Sequence, residues 1–160
     1  MDYVLIGMPG CGKTTIGRLV AERLGREFCD VDAEIEKREK RSINSIFEKD
    51  GEEYFRQVET KTFRSLMGRD SVIATGGGIV TRDENLDIAK CGFVIFIDRD
   101  IEDIISDVDT DTRPLLKDGA ERLYKLYEQR YERYCQWADV CVKNDGSIED
   151  VVYKILNQKR

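Results

Sequence analysis

Histidine is absent from this 160-residue sequence. That excludes His-based catalytic triads and His metal sites. No cysteine pair has CxxC spacing. The five cysteines (Cys11, Cys29, Cys91, Cys135, Cys141) lie far apart and are odd in number. With no signal peptide in view, they point to reduced thiols and a cytoplasmic protein. No apolar run approaches the roughly 20 residues that span a bilayer, so no membrane partner is expected. The opening residues, Met1-Asp2-Tyr3-Val4-Leu5-Ile6, enter a strand-like run without a basic leader. An excess of basic residues is missing too: 26 Lys and Arg face 32 Asp and Glu, for a net charge of -6. Nucleic-acid binders usually show a basic face, so none is expected here. Any cation that an anionic substrate needs must be placed locally.

What is present suits one domain. The length fits one core better than two. At 41% hydrophobic and 36% charged residues, the chain has both a core and a solvated surface. Short apolar runs at Tyr3–Ile6, 27–31, 71–75, 93–97 and 139–142 read as strands, with 93–97 apolar throughout. Between them, helical spacing marks Lys13–Leu24, 84–90, 101–105 and 120–137. A long helical region covers 33–67, broken near Asp50-Gly51, and Ile148–Leu156 is the last helix. Strands alternating with helices predict an α/β domain, a parallel sheet with helices on both faces. No repeat, low-complexity tract or linker interrupts it. Two insertions stand out, about 33–63 and 107–119. The second is acidic, polar and irregular, and carries Arg113-Pro114.

Gly7-Met8-Pro9-Gly10-Cys11-Gly12-Lys13-Thr14 matches GxxxxGK[ST]. It follows a strand, precedes a helix and occupies the first βα turn, the context that this phosphate-binding loop requires. The glycines let backbone N–H groups surround phosphate oxygens, and the helix adds its positive end. Lys13 is placed to reach the β- and γ-phosphates, and the Thr14 hydroxyl to ligate Mg²⁺. An ordinary glycine-rich turn would not pass the context test in full.

Four features bear on the acceptor. Asp30 and Asp32 sit two apart at the end of the second strand, and so on one face. If that strand lies beside the first, both carboxylates face the phosphate loop, one for Mg²⁺ and one for the proton of an attacking hydroxyl. Capping of the next helix explains them equally well. Arg56 and Glu59 are helix neighbours, and the arginine suits a carboxylate; a solvated surface pair is the plain alternative. Thr75-Gly76-Gly77-Gly78 bares its backbone, which costs conformational entropy and so favours close approach of a ligand over a mere flexible turn. Arg113 lies in a polar segment of the kind that closes over a site, and Arg130 lies on the helix after it. Each of these arginines could equally be solvated charge.

Together these residues resemble shikimate kinase over 1–156, nearly the whole chain. The specific matches are Phe28-Cys29-Asp30-Val31-Asp32 with Ile35-Glu36, Ile46-Phe47, Gly51-Glu52, Phe55-Arg56, Glu59, Thr75-Gly76-Gly77-Gly78, Arg113-Pro114-Leu115-Leu116, and Arg130 with Tyr134, in the family's order. The resemblance implies a three-layer α/β/α P-loop kinase fold around a five-stranded parallel sheet. It implies transfer of the ATP γ-phosphoryl group to the 3-hydroxyl of shikimate. Gly10, Cys11, Gly12, Lys13, Thr14, Thr15 and Arg113 would bind the nucleotide, and Thr14 and Asp30 would serve Mg²⁺. Asp32, Arg56, Gly77, Gly78 and Arg130 would bind shikimate. Asp32, Lys13 and Arg113 would carry the catalysis. A monomer is the default expectation.

Two departures from the family accompany the match. Members commonly carry another arginine a turn or two before the lid, packing on adenine, whereas 104–112 holds no basic residue. Cys11 occupies a loop position where small residues are usual, beside a helix N-terminus, and is a candidate reactive thiol that alkylation would block and ATP protect. Two other readings stay open: another small-molecule kinase of this fold, such as a gluconate kinase, and a non-catalytic nucleotide-binding domain. The acceptor-side residues weigh against both.

Overall fold

The computed structural model describes residues 1–111 and 117–158, the side chains of 109–111 and 117–118 excepted. Its centre is a five-stranded parallel sheet of β1 (Tyr3–Ile6), β2 (Phe28–Asp30), β3 (Val72–Ala74), β4 (Phe93–Asp98) and β5 (Val140–Lys143), in the order β2-β3-β1-β4-β5. Residues 4–6 of β1 and all of β3 and β4 are buried. That explains why these runs are apolar without alternation: helices cover both faces. Asp2 anchors the entry to β3. Its buried carboxylate accepts from the N–H groups of Gly68 at 2.6 Å and Ser71 at 2.9 Å. Burial alone would raise its pKa, but those hydrogen bonds hold it below the usual value.

The connections are α1 (Lys13–Leu24), α2 (Val31–Glu39), α3 (Ile43–Leu66), α4 (Asp83–Ala89), α5 (Ile101–Asp111), α6 (Lys117–Trp137) and, after β5, α7 (Ile148–Leu156). Right-handed crossovers send α1 to one face and α3, α4 and α6 to the other; α1 packs on α7, and α3 on α4. The chain therefore leaves the neighbouring strands β1 and β3 toward opposite faces. A crevice opens at their carboxyl ends, the usual ligand position in such sheets.

Four details differ from the sequence expectation. First, β2 pairs with β3 and not with β1. Second, β2 ends at Asp30, so Asp32 lies in the first turn of α2. Third, the long helical region breaks twice: at Lys40, in the left-handed region with φ 56°, and at Gly51, with φ 86°. Fourth, 107–119 is helical at both ends, because α5 extends to Asp111 and α6 begins at Lys117. Arg113-Pro114-Leu115-Leu116 lies outside the described residues. No described helix is long and apolar enough to cross a membrane.

Gly17 sets how closely α1 approaches the sheet. A Cβ there would fall 2.7 Å from the Phe28 ring and 3.1 Å from Leu5. Gly17→Ala should gain up to about 1 kcal/mol of helix propensity and lose about 1–3 kcal/mol to overpacking. The expected outcome is net destabilisation in a denaturant titration; a stabilised variant would show that α1 can lift off at little cost.

Candidate active site

The turn after β1 is built to expose N–H groups. Gly7, Gly10 and Gly12 have φ of 150°, 82° and 104°, values that side chains rarely adopt. At Gly7 a Cβ would also meet the Ile97 carbonyl oxygen and Cys11 Sγ, each at 2.7 Å. The loop carbonyls are occupied by the protein. Lys13 Nζ donates to Gly7 O at 2.7 Å and Met8 O at 3.0 Å. Arg99 Nη1 donates to Gly10 O at 3.0 Å, and Asn144 Nδ2 to Cys11 O at 2.9 Å. With these carbonyls occupied, the glycine-rich backbone is left to offer its N–H groups to an anion as a nest. The first turn of α1 extends it, since its N–H groups have no intrahelical acceptor and no acidic residue stands there.

Thr14 faces this nest, and its hydroxyl donates to Asp30 Oδ2 at 3.0 Å. The other oxygen of Asp30 caps α2 by accepting from Ala33 N at 3.0 Å. Asp30 thus caps α2 and at the same time bonds the phosphate loop through Thr14. Asp32, in the first turn of α2, reaches the same cavity of about 380 Å³, lined also by Gly10, Gly12, Lys13, Thr14, Thr15, Gly76 and Gly77. Its Oδ1 is buried with no hydrogen-bond partner among the described residues. Burial, helped by the charge of Asp30, pushes its pKa up, and Lys13 and Arg56 only partly offset this.

Steric contact explains each glycine of the triplet. A Cβ at Gly76 would lie 2.9 Å from Asp32 Oδ1 and 3.0 Å from Glu59 Oε2. At Gly77 it would lie 2.6 Å from Pro9, and at Gly78 2.4 Å from the Arg56 guanidinium. The triplet thus lets Asp32, the phosphate loop and Arg56 close on one segment. Arg56 Nη1 binds Glu59 Oε1 at 2.8 Å, and Glu59 is 1% exposed. The plain reading of a solvated surface pair fails here. Burial raises the Glu59 pKa against the pull of Arg56.

A second cavity, about 700 Å³, adjoins the first across Pro9. Arg56 and Arg130 meet there, with Phe47, Glu52, Arg122 and Arg133. The structure thus brings Lys13, Thr14, Asp30, Asp32 and Gly77 together, and sets Arg56 and Arg130 next door. Arg113 lies outside the described residues.

Sequence reasoning missed Arg99, Asn144, Arg122 and Arg133. Arg99 and Asn144 stand at the carboxyl ends of β4 and β5, a position that alone marks candidates in this topology. Arg122 and Arg133 share the spacing that puts residues on one helix face with Arg130. Arg133 also donates to Val80 O at 2.8 Å. The reading of Cys11 as a reactive thiol is overturned: its side chain is 0% exposed, packed beneath the loop. Its N–H is turned to Met8 O at 3.1 Å.

The family model described as shikimate kinase matches residues 9–160. A shikimate kinase of Clostridium beijerinckii is 49% identical over 154 residues, covering 95% of this chain and 90% of that protein. A solved shikimate kinase from Acinetobacter baumannii, in complex with shikimate, superposes with a TM-score of 0.89 at 37% identity, over 97% of this chain and 90% of that one. A gluconokinase from Sinorhizobium meliloti has a TM-score of 0.62 at 14% identity, over 97% and 89% of the two chains, and so shares the fold alone.

Burial sorts the thiols into two classes: Cys11 and Cys29 are buried, and Cys91, Cys135 and Cys141 exposed. Titration with a chromogenic disulfide should show three fast thiols in native protein and two more only on unfolding. Protection by ATP of a fast thiol that is lost in Cys11→Ala would restore the reactive-thiol reading.

Proposed function

The chain belongs to the shikimate kinase family, and we propose from that premise how its residues divide the work of moving the ATP γ-phosphoryl group to the 3-hydroxyl of shikimate. The activity is that of an ATP-dependent phosphotransferase with an alcohol acceptor, a step of aromatic amino acid biosynthesis. The observation that carries the assignment of residues is the unpartnered, buried Asp32 Oδ1 in one cavity with Lys13 and Thr14.

On the donor side, the N–H nest of residues 10 and 12–15 and the ammonium of Lys13 hold the phosphates, with Cys11 completing the loop beneath them. Thr14 and Asp30 fit a Mg²⁺ ion: a hydroxyl and a carboxylate oxygen already converge within 3.0 Å of each other, and Mg²⁺ prefers one or two such oxygens alongside phosphate and water. When bound, the ion neutralises charge that develops on the phosphoryl oxygens. Arg113 is assigned the lid contact to the phosphates, on the resemblance alone. On the acceptor side, Arg56 and Arg130 clamp the carboxylate, and the backbone at Gly77 and Gly78 contacts the substrate. Asp32 orients the 3-hydroxyl and takes its proton; a carboxylate of raised pKa is the better base near neutral pH. We assign the whole chain to one catalytic domain, with 33–63 serving the acceptor and about 107–119 the lid. It acts as a cytoplasmic monomer, a compartment in keeping with its five free thiols.

Four measurements test this. An ADP-release assay over shikimate, gluconate and nucleoside monophosphates should give turnover with shikimate; none would refute the acceptor. Asp32→Ala should cut kcat by roughly 10²- to 10⁴-fold and leave ATP binding intact, so a near-normal kcat would remove Asp32 from catalysis. Because the Asp32 pKa is raised, kcat/KM should fall with acidification through a midpoint above the ordinary carboxylate range. Asp32→Asn should lose that limb, and an unchanged profile would assign it to another group. Arg130→Ala should raise the KM for shikimate by roughly 10- to 100-fold, as loss of a charged hydrogen bond would.

A further inference from the structure

The side chain that joins the two halves of the site carries no role in the account above. Tyr134 lies on α6 one turn after Arg130, is 0% exposed, and stacks on Phe96 with ring centroids 5.2 Å apart. Its hydroxyl donates to the carbonyl of Gly77 at 2.5 Å. The guanidinium of Arg130, one turn earlier on the helix, lies near enough to the same hydroxyl to pull its pKa down by charge and hydrogen bonding, against the larger effect of burial. Met8 Sδ of the phosphate loop lies 3.9 Å away. A phenol with one proton and two lone pairs is thus used on both sides.

The consequence is geometric. Arginine has four rotatable bonds and costs up to about 2 kcal/mol of rotamer entropy to immobilise. A fixed acceptor one turn along the same helix removes part of that cost before substrate arrives. The Gly77–Gly78 peptide gains as well. Glycine backbone is otherwise free to flip. A planar trans peptide points its carbonyl and its N–H in opposite directions. Pinning Gly77 O to Tyr134 therefore fixes the Gly78 N–H away from it. Burial, the largest effect on the phenol, also keeps the hydroxyl protonated, so it remains a donor across the working pH range.

We propose that Tyr134 is a positioning residue, whose hydroxyl holds Arg130 and the Gly77–Gly78 peptide in the arrangement that receives the carboxylated acceptor. This rests on the reading of Arg130 as a carboxylate contact. Phenylalanine retains the ring and its stacking on Phe96 and removes only the hydroxyl. Tyr134→Phe should raise the KM for shikimate about five- to tenfold, the loss of one hydrogen bond, with kcat and the KM for ATP within about twofold. A general loosening of the fold would move both KM values together.

The decisive measurement is a double-mutant cycle. Tyr134→Phe added to Arg130→Ala should raise the KM for shikimate by clearly less than Tyr134→Phe does alone, because one of the two groups it positions is already removed; the remainder reports the Gly77–Gly78 peptide. Thermal melts check that each variant is folded. Multiplicative effects of the two changes, or equal rises in both KM values, overturn the proposal. A KM raised by Arg130→Ala but unchanged by Tyr134→Phe overturns the positioning role alone. A KM unchanged by Arg130→Ala overturns the carboxylate reading and this proposal with it.

Discussion

The carbonyls of Gly7, Met8, Gly10 and Cys11 are all held by three side chains of the protein, Lys13 of α1, which takes two of them, and Arg99 and Asn144 from just beyond β4 and β5. A peptide whose carbonyl is tied on one side presents its N–H on the other. The concave donor surface at the start of α1 is therefore a product of packing as much as of glycine content. The rest of the site is arranged around it. Asp30 spends one oxygen on α2 and one on Thr14, so the helix cap and the phosphate loop share a carboxylate. Pro9 forms the wall between the two cavities. Ile104 of α5 would lie 3.1 Å from a Cβ at Gly10, so α5 rests against the loop.

Charge is balanced locally in a chain that is acidic overall. Asp32 and Glu59 converge on Gly76, and burial raises the pKa of both. Two cations, Lys13 and Arg56, oppose that shift without cancelling it at Asp32. Four arginines line the neighbouring cavity, where a small carboxylate with several hydroxyls would sit. A net charge of -6 thus coexists with a cavity lined by four arginines. Phosphoryl transfer depends on positioning and charge stabilisation more than on covalent chemistry, and so requires no histidine.

Much of the fold was legible in the order of elements, because a buried parallel strand reads as an unbroken apolar run and a covering helix as a 3.6-residue period. The donor half of the site was legible for a local reason: GxxxxGK[ST] needs only a strand, a turn and a helix. The acceptor half was readable chiefly as a resemblance, since Asp32, Arg56, Gly78 and Arg130 come from three helices and a loop that no local pattern joins. The triple glycine stood out in the sequence as bare backbone that a ligand could approach. Its main structural cause, close approach by Asp32, Pro9 and Arg56, is tertiary and could not be read from the segment itself.

The sequence by itself determined the phosphate loop, the α/β alternation and the absence of imidazole chemistry, because each depends on residue type and local spacing. Only the tertiary structure decided that β2 lies beyond β3, that Asp32 enters from a helix, and that Cys11 is sealed beneath its loop. Strand order, crossover and burial depend on which faces meet across the sheet. The same reason hid Tyr134: a buried tyrosine at helical spacing looks like core, and only the placement of Gly77 and Arg130 around its hydroxyl gives it a partner on each side.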